Sequence, residues 1–281
     1  MRRSEQVGLW FIRGVTYTVV AAIVWILGTI AWNGVPALSW TFLTAMPSKG
    51  GAEGGIFPAI VGTFWLVLGT ISVAMPLGMG AAIYLSEYAR EGRITGWIRL
   101  GIVTLAGVPS IVFGLFGLAL FVITFDFGTS IAAGSLTLAF MILPVIIVSS
   151  EEAIRAVPRA LREASLALGA TRWQTIWHQV LPYSLPGMLT GSILGIARAA
   201  GETAPILLTA AVFFRPVLPG SALDPVMALP YHLFILATQH PDVDKVRPMA
   251  YGTALVLIVL VLSVNLFAIV LRNHFRKKYR W

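Results

Sequence analysis

Six stretches of this chain stay apolar for about twenty residues or more, the length needed to cross a hydrocarbon core of about 30 Å as a helix. In lipid every backbone N–H and C=O must find its partner within the protein, so runs of this kind fold as helices. Reading the apolar runs in order places spans at about 14–33, 57–85, 99–124, 130–150, 184–214 and 249–271. Only 11% of the 281 residues are charged and 57% are hydrophobic, whereas soluble domains carry roughly 25% charged residues. A water-soluble globule is excluded, and the expected fold is an all-α polytopic membrane protein with six transmembrane helices.

The net charge of +8 invites a nucleic-acid reading, but its distribution argues against one. Fifteen of the 20 basic residues fall in four segments, Arg2–Arg13, Arg90–Arg99, Arg155–Arg172 and Arg272–Arg280, which the span assignment puts on one side. The other side holds Lys49, Arg215, Lys245 and Arg247, and Arg198 lies inside a span. This is the positive-inside bias. It predicts a multi-pass membrane protein with both termini in the cytoplasm, touching anionic lipid through its basic C-terminal segment. No nucleic-acid partner is expected.

The chain has no cysteine, so disulfides, thiolate metal sites and cysteine nucleophiles are excluded. The N-terminal apolar run is too long for a signal-peptide core and reads as an uncleaved first span. His178, His232, His240 and His274 are too scattered for a metal site, and no catalytic triad or carboxylate pair is discernible. None of the four lysines, Lys49, Lys245, Lys277 and Lys278, follows a glycine, so a phosphate-cradling G-x-x-x-x-G-K-[ST] loop is lacking. No catalytic residue, metal or cofactor is expected. Small residues cluster as Gly78, Gly80 and Ala82, as Gly107, Gly114 and Gly117, and as Gly187, Gly191 and Gly195, where they let helices approach closely. Between the last two spans, Met227 to Leu236 is apolar but too short to cross, which suits a re-entrant or interfacial element.

Two polar regions interrupt this apolar plan. The first is the loop 151–182. Pro158 suits a helix start, Arg159–Leu168 continues it, and Gly169 supplies a left-handed stop. Thr171 with Gln174 three residues on is a capping-box pattern opening a second short helix, and Pro182 and Pro186 then punctuate entry to the next span. Leu161, Leu166 and Leu168 would form an apolar face flanked by Arg159, Arg162 and Glu163. Local chemistry leaves open whether this hairpin lies in the headgroup layer or docks on another protein. The second region is Arg198 with Glu202, the only ionisable residues of the fifth span. At i and i+4 they share a helix face and can pair. Arginine at a bilayer midplane costs on the order of 2.5–3.5 kcal/mol, so it must face a cavity or a partner. Either the pair is structural, or Arg198 offers its planar fork to an anion with Thr203 adding a hydroxyl and Pro205 breaking the helix beside it.

Glu163-Ala164-Ser165-Leu166-Ala167-Leu168-Gly169, followed after nine residues by Gln179-Val180-Leu181-Pro182, resembles the E-A-A-x3-G-x9-I-x-L-P loop of ABC-importer permeases. It departs from that pattern at Ser165 and Gln179. Arg198-Ala199-Ala200-Gly201-Glu202-Thr203-Ala204-Pro205 resembles the R-A-x-G-E-T-A-P stretch of the PstA family of phosphate-specific permeases, whose sister PstC typically has G-E-T-M there. Gly62-Thr63, Pro76-Leu77-Gly78, Tyr84 to Tyr88 and Gly107 to Gly114 agree with the same family. The resemblance implies a type I ABC-importer permease of MetI-like fold in a bacterial cytoplasmic (inner) membrane, with residues 1–56 as an N-terminal span and external loop and 57–281 as the permease core. It implies a permease that is not an enzyme itself, paired with a sister PstC, two copies of the ATPase PstB and the phosphate-binding protein PstS, and carrying inorganic phosphate. It assigns substrate contact to Arg198, Glu202 and Thr203. It assigns ATPase coupling to Arg162, Glu163, Ala164, Leu168, Gly169, Leu181 and Pro182. Another oxyanion, molybdate or sulfate, or an ion-coupled transporter using Glu202 as a proton site, are the alternative readings.

Overall fold

A computed structural model of the protein describes residues 3–51 and 53–278. Arg2 and Arg280, counted above among the basic residues, lie outside the described residues. The long helices are α1 (Arg3–Gly34), α2 (Phe57–Tyr88), the bent pair α3 (Arg93–Ala106) and α4 (Ser110–Thr124), α5 (Ile131–Arg155), α7 (Arg172–Gly201) and α10 (Val243–Lys278). The shorter ones are α6 (Arg159–Ala167), α8 (Ala204–Thr209) and α9 (Leu229–Thr238). Five helices are long and apolar enough to cross a membrane, and six when α3 and α4 count as one broken span.

The third span departs from the sequence reading, which had it continuous through Pro109. The chain turns by 104° between α3 and α4. Proline disfavours helical conformation in the residue before it, and here Gly107 and Val108 tighten onto the carbonyls of Thr104 and Leu105 while Pro109 is extended (φ −57°, ψ 139°). The fifth span departs too. Expected to run to about 214, the helix stops at Gly201, resumes as α8, and then gives way to irregular chain with an isolated bridge between Ala211 and Val226. At its other end α7 begins earlier than expected. A widened π turn over Ile176–Val180 sits just before Pro182, where a helix must accommodate a residue without an N–H. Pro182 and Pro186 are therefore inside one helix running from Arg172 to Gly201 and do not mark a boundary.

α5 is the centre of the bundle. It packs against α2, α3, α4, α7 and α8, and Leu138, Met141, Ile142 and Ile146 on it are fully buried. Several predicted small-residue crossings occur, with Gly78 against Ile146 and Gly187 and Gly191 against Ala153 and Ser149, whereas Gly80 faces open space. In contrast, α1 buries none of its apolar window and packs along α10. The apolar stretch too short to span becomes α9, with Leu229, Pro230, His232, Ile235 and Leu236 buried. It is pinned by α2. The Leu229 backbone N–H donates to Thr63 Oγ1 at 2.8 Å, and a side chain at Gly62 would collide with the Met227 carbonyl. That contact explains Gly62-Thr63 physically.

Candidate functional site

Two broken helices meet on one side of α5. α8 packs on α4, with the backbone of Ala204 and Pro205 close to Gly114. The break before α8 puts Glu202 in extended conformation (φ −75°, ψ 132°) just past the end of α7. Arg198 therefore occupies the last helical turn of α7, where the sequence reading had it near the middle of an unbroken span. Its Nε donates to Glu202 Oε1 at 3.2 Å, and the two side chains are 39% and 18% exposed. The predicted i, i+4 pair thus forms, but loosely. Thr203 lies alongside as the residue before α8; it makes no side-chain cap, and its carbonyl accepts from Leu207 N–H at 3.0 Å. Gly187, Thr190, Leu194, Arg198 and Gly201 are all exposed and recur at helical spacing, so Arg198 stands on a face of α7 that this chain leaves uncovered.

At the other end of α7 lies the hairpin. α6 ends in a Schellman motif: Gly169 has φ +86°, its N–H donates to the Leu166 carbonyl, and Ala170 N–H donates to Ser165. The capping box also forms, with Thr171 N–H on Gln174 Oε1 at 2.8 Å and Gln174 N–H on Thr171 Oγ1 at 3.3 Å. Ser165 and Thr175 hydroxyls, 2.9 Å apart, join the limbs. Two expectations for its faces change. Leu161 turns inward onto the cluster of Ile154, Val157 and Val180, so only Leu166 and Leu168 remain outward, Leu168 being 90% exposed. Arg162 is also turned inward. Its guanidinium donates twice to Glu87 Oε1 (3.1 and 2.8 Å), to Val157 O at 2.6 Å and to Ile154 O at 2.9 Å. Glu163 and Ala164 are exposed, while Leu181 and Pro182 are half-buried in the body of α7.

Sequence reasoning missed four features here. Arg162 reaches Glu87 across 75 residues, and Arg99 reaches Glu151 at 2.8 Å across 52, so no local spacing announces either. The third ion pair, Arg155 to the same Glu151 oxygen at 2.8 Å, has i, i+4 spacing and was legible. Trp173 and Trp177, given no role from sequence, stack in near-parallel fashion 5.6 Å apart on the exposed outer limb.

The family model of the binding-protein-dependent transport system inner membrane component matches residues 74–281. The phosphate transport system permease protein PstA of Mycobacterium leprae is 37% identical over 257 residues, covering 89% of this chain and 82% of the relative. PstA 1 of Mycobacterium tuberculosis is 35% identical over 256 residues, covering 89% and 81%. Among solved structures, a chain of a bacterial ABC transporter importing the polysaccharide alginate superposes with a TM-score of 0.68 at 14% identity, over 98% of this chain and 99% of that one. A chain of the MetNI methionine transporter superposes with 0.55 at 17% identity, over 79% and 94%. These likenesses establish the MetI-type permease fold. The chain belongs to the inner-membrane components of binding-protein-dependent transport systems and, within them, to the PstA permeases.

Proposed function

We propose that this chain is the permease subunit of an ATP-driven importer of inorganic phosphate. The observation that carries the reading is Arg198, held by one 3.2 Å contact to Glu202 on a face of α7 that the chain itself does not cover. A guanidinium fork matches the oxygens of a tetrahedral anion. Glu202 keeps the fork oriented while the site is empty, and Thr203 adds a hydroxyl. A sister permease of the PstC kind closes the uncovered face. The chain carries no phosphate-cradling loop, so ATP is hydrolysed by two copies of a separate PstB-type ATPase, and a PstS-type binding protein delivers cargo. The positive-inside bias places both termini and the hairpin in the cytoplasm and α9 outside. There Glu163, Ala164, Leu168 and Gly169 form the outward surface that the ATPase grips. Arg162 acts behind them by fixing the hairpin to α2, and Leu181 and Pro182 carry its movement into α7. Residues 1–56 then act as a peripheral span and external loop, and 57–281 as the core.

Reconstitution with sister permease and ATPase tests this directly. Phosphate-loaded binding protein should stimulate ATP hydrolysis and uptake, and sulfate- or molybdate-loaded binding proteins should not. Arg198→Ala should abolish uptake while the complex still assembles. Glu202→Gln should alter how tightly phosphate is held more than it harms folding. Replacing both with leucine gives the decisive variant. If the double variant is stable and still transports phosphate, Arg198 is not a ligand.

A further inference from the structure

The hairpin end holds a second concentration of guanidinium groups, separate from Arg198. A cavity of about 470 Å³ opens between the hairpin and the helices behind it, and Arg99, Arg155, Arg159, Arg162 and Arg172 line it with Ser86. Three of the five arginines are committed. Arg162 is paired with Glu87, and Arg99 and Arg155 share Glu151. Arg159 opens α6 and Arg172 opens α7, so they approach the cavity from the two limbs of the hairpin. Among the described residues neither makes an ion pair or a side-chain hydrogen bond. Glu91 and Glu163 also reach the cavity, but neither comes within ion-pair distance of them. The Ser86 hydroxyl is buried on the α2 side and has no hydrogen-bond partner, which is costly for a polar group shut away from water.

We infer that this cavity is an oxyanion site of the phosphate class, with Arg159 and Arg172 supplying guanidinium forks. Arginine forks are suited to the bidentate grip of phosphate oxygens. The two donors sit on the two limbs of the hairpin. A bound anion therefore ties the limbs together next to the Arg162–Glu87 contact. The same chemistry is offered by a phospholipid headgroup and by free inorganic phosphate. The cavity is roomy enough for an ester substituent as well as the tetrahedral group. The site does not depend on phosphate being the transported cargo.

The test is made on the full-length chain in an Arg198→Ala background, so that an anion at the proposed transport site cannot contribute. Thermal unfolding in lipid-free detergent is compared in inorganic phosphate and in sodium chloride of equal ionic strength. Phosphate should raise the midpoint saturably. Arg159→Gln with Arg172→Gln should weaken that response by about tenfold or more in apparent affinity. Neither arginine has an internal partner, so the midpoint in chloride should stay close to that of the parent. The Arg159→Lys, Arg172→Lys variant keeps the charge without the fork and should recover little of the response. For the lipid source, native mass spectrometry after extraction from phosphatidylglycerol-containing nanodiscs should show one retained lipid, lost in the double glutamine variant and displaced by phosphate. A response to phosphate without lipid retention assigns the site to the free anion, and retention that phosphate cannot displace assigns it to the lipid. The inference is overturned if phosphate response and lipid retention are both absent, or if both are the same in the parent and in the double glutamine variant.

Discussion

Arg162 and Arg198 each pair with a glutamate, yet Arg162 makes four hydrogen bonds, two to Glu87 and two to backbone carbonyls, whereas Arg198 makes one contact of 3.2 Å to Glu202. Arg162 is 20% exposed and Arg198 39%. A structural arginine uses up its donors inside the chain, because a buried charge that is not fully satisfied destabilises the fold. Arg198 keeps most of its donors free on an uncovered helix face. The contrast separates an ion pair that holds the bundle together from one that, on the function proposed above, exchanges its partner for a ligand. Arg99, Glu151 and Arg155 belong with the first kind, since Arg99 bonds both Glu151 and the Leu85 carbonyl and Glu151 is buried.

The largest loss of stability is expected where the pairing is tightest. Arg162→Ala strands the Glu87 carboxylate and two carbonyls, at a cost of roughly 3 kcal/mol, read as a lower unfolding midpoint of the purified chain. A loss below about 1 kcal/mol would place Arg162 with the exposed pairs and erase the distinction. A comparable but pH-dependent loss is expected at a buried group with no charged partner. His232, stacked on Phe213 at 5.3 Å, has neither ring nitrogen hydrogen-bonded. Burial, the larger influence, pushes its pKa down to about 4 against an opposing pull from the Phe213 backbone. The unfolded imidazole titrates near 6.5, so between about 4 and 6.5 the unfolded chain binds the extra proton. The neutral form's stability is thus fully present above 6.5 and falls as pH drops, by about 1.4 kcal/mol per pH unit across that window. Replacing His232 with phenylalanine should flatten the melting midpoint over the same range. An unchanged acid dependence would show that His232 finds a partner.

A smaller loss is expected at the hairpin turn. Gly169 has φ +86° with open space where a Cβ would sit, so Gly169→Val adds backbone strain with no contact at its Cβ, about 1–3 kcal/mol. Membrane insertion should persist while ATPase assembly or ATP-driven uptake fails. A variant that assembles and transports normally would mean the turn has no part in coupling. The smallest change in stability is expected at Arg198. Exposed pairs contribute about 0–1 kcal/mol, so Arg198→Ala should melt close to the parent even as transport is lost. A melting loss as large as that of Arg162→Ala would move Arg198 into the structural class.

Several parts of this plan are local and were legible in the residues. The hairpin follows from Gly169, Thr171 and Gln174, because a Schellman turn and a capping box close within a few residues. The Arg198–Glu202 pair follows from i, i+4 spacing, and the membrane spans follow from apolar length, since lipid imposes the same requirement on every segment. Other features were misread because proline is ambiguous in a membrane. Pro182 and Pro186 sit inside a continuous helix that widens ahead of them, while Pro109 accompanies a turn of 104°. Whether a proline bends, breaks or rides along depends on which neighbours satisfy the freed carbonyls, and those neighbours are distant in sequence.

The sequence by itself determined where the apolar helices lie along the chain and how the hairpin turns, both of which depend on composition or on spacing within a helical turn. Tertiary structure decided which way the polar groups point. It turned Arg162 and Leu161 inward and left Glu163 and Leu168 outward, joined Arg162 to Glu87 and Arg99 to Glu151, and set Thr63 against the start of α9. It also ended α7 at Gly201, so that Arg198 stands at a helix end. The physical reason is that an arginine's cost in a membrane is settled by the partner it reaches, and that partner comes from whichever helix packs beside it.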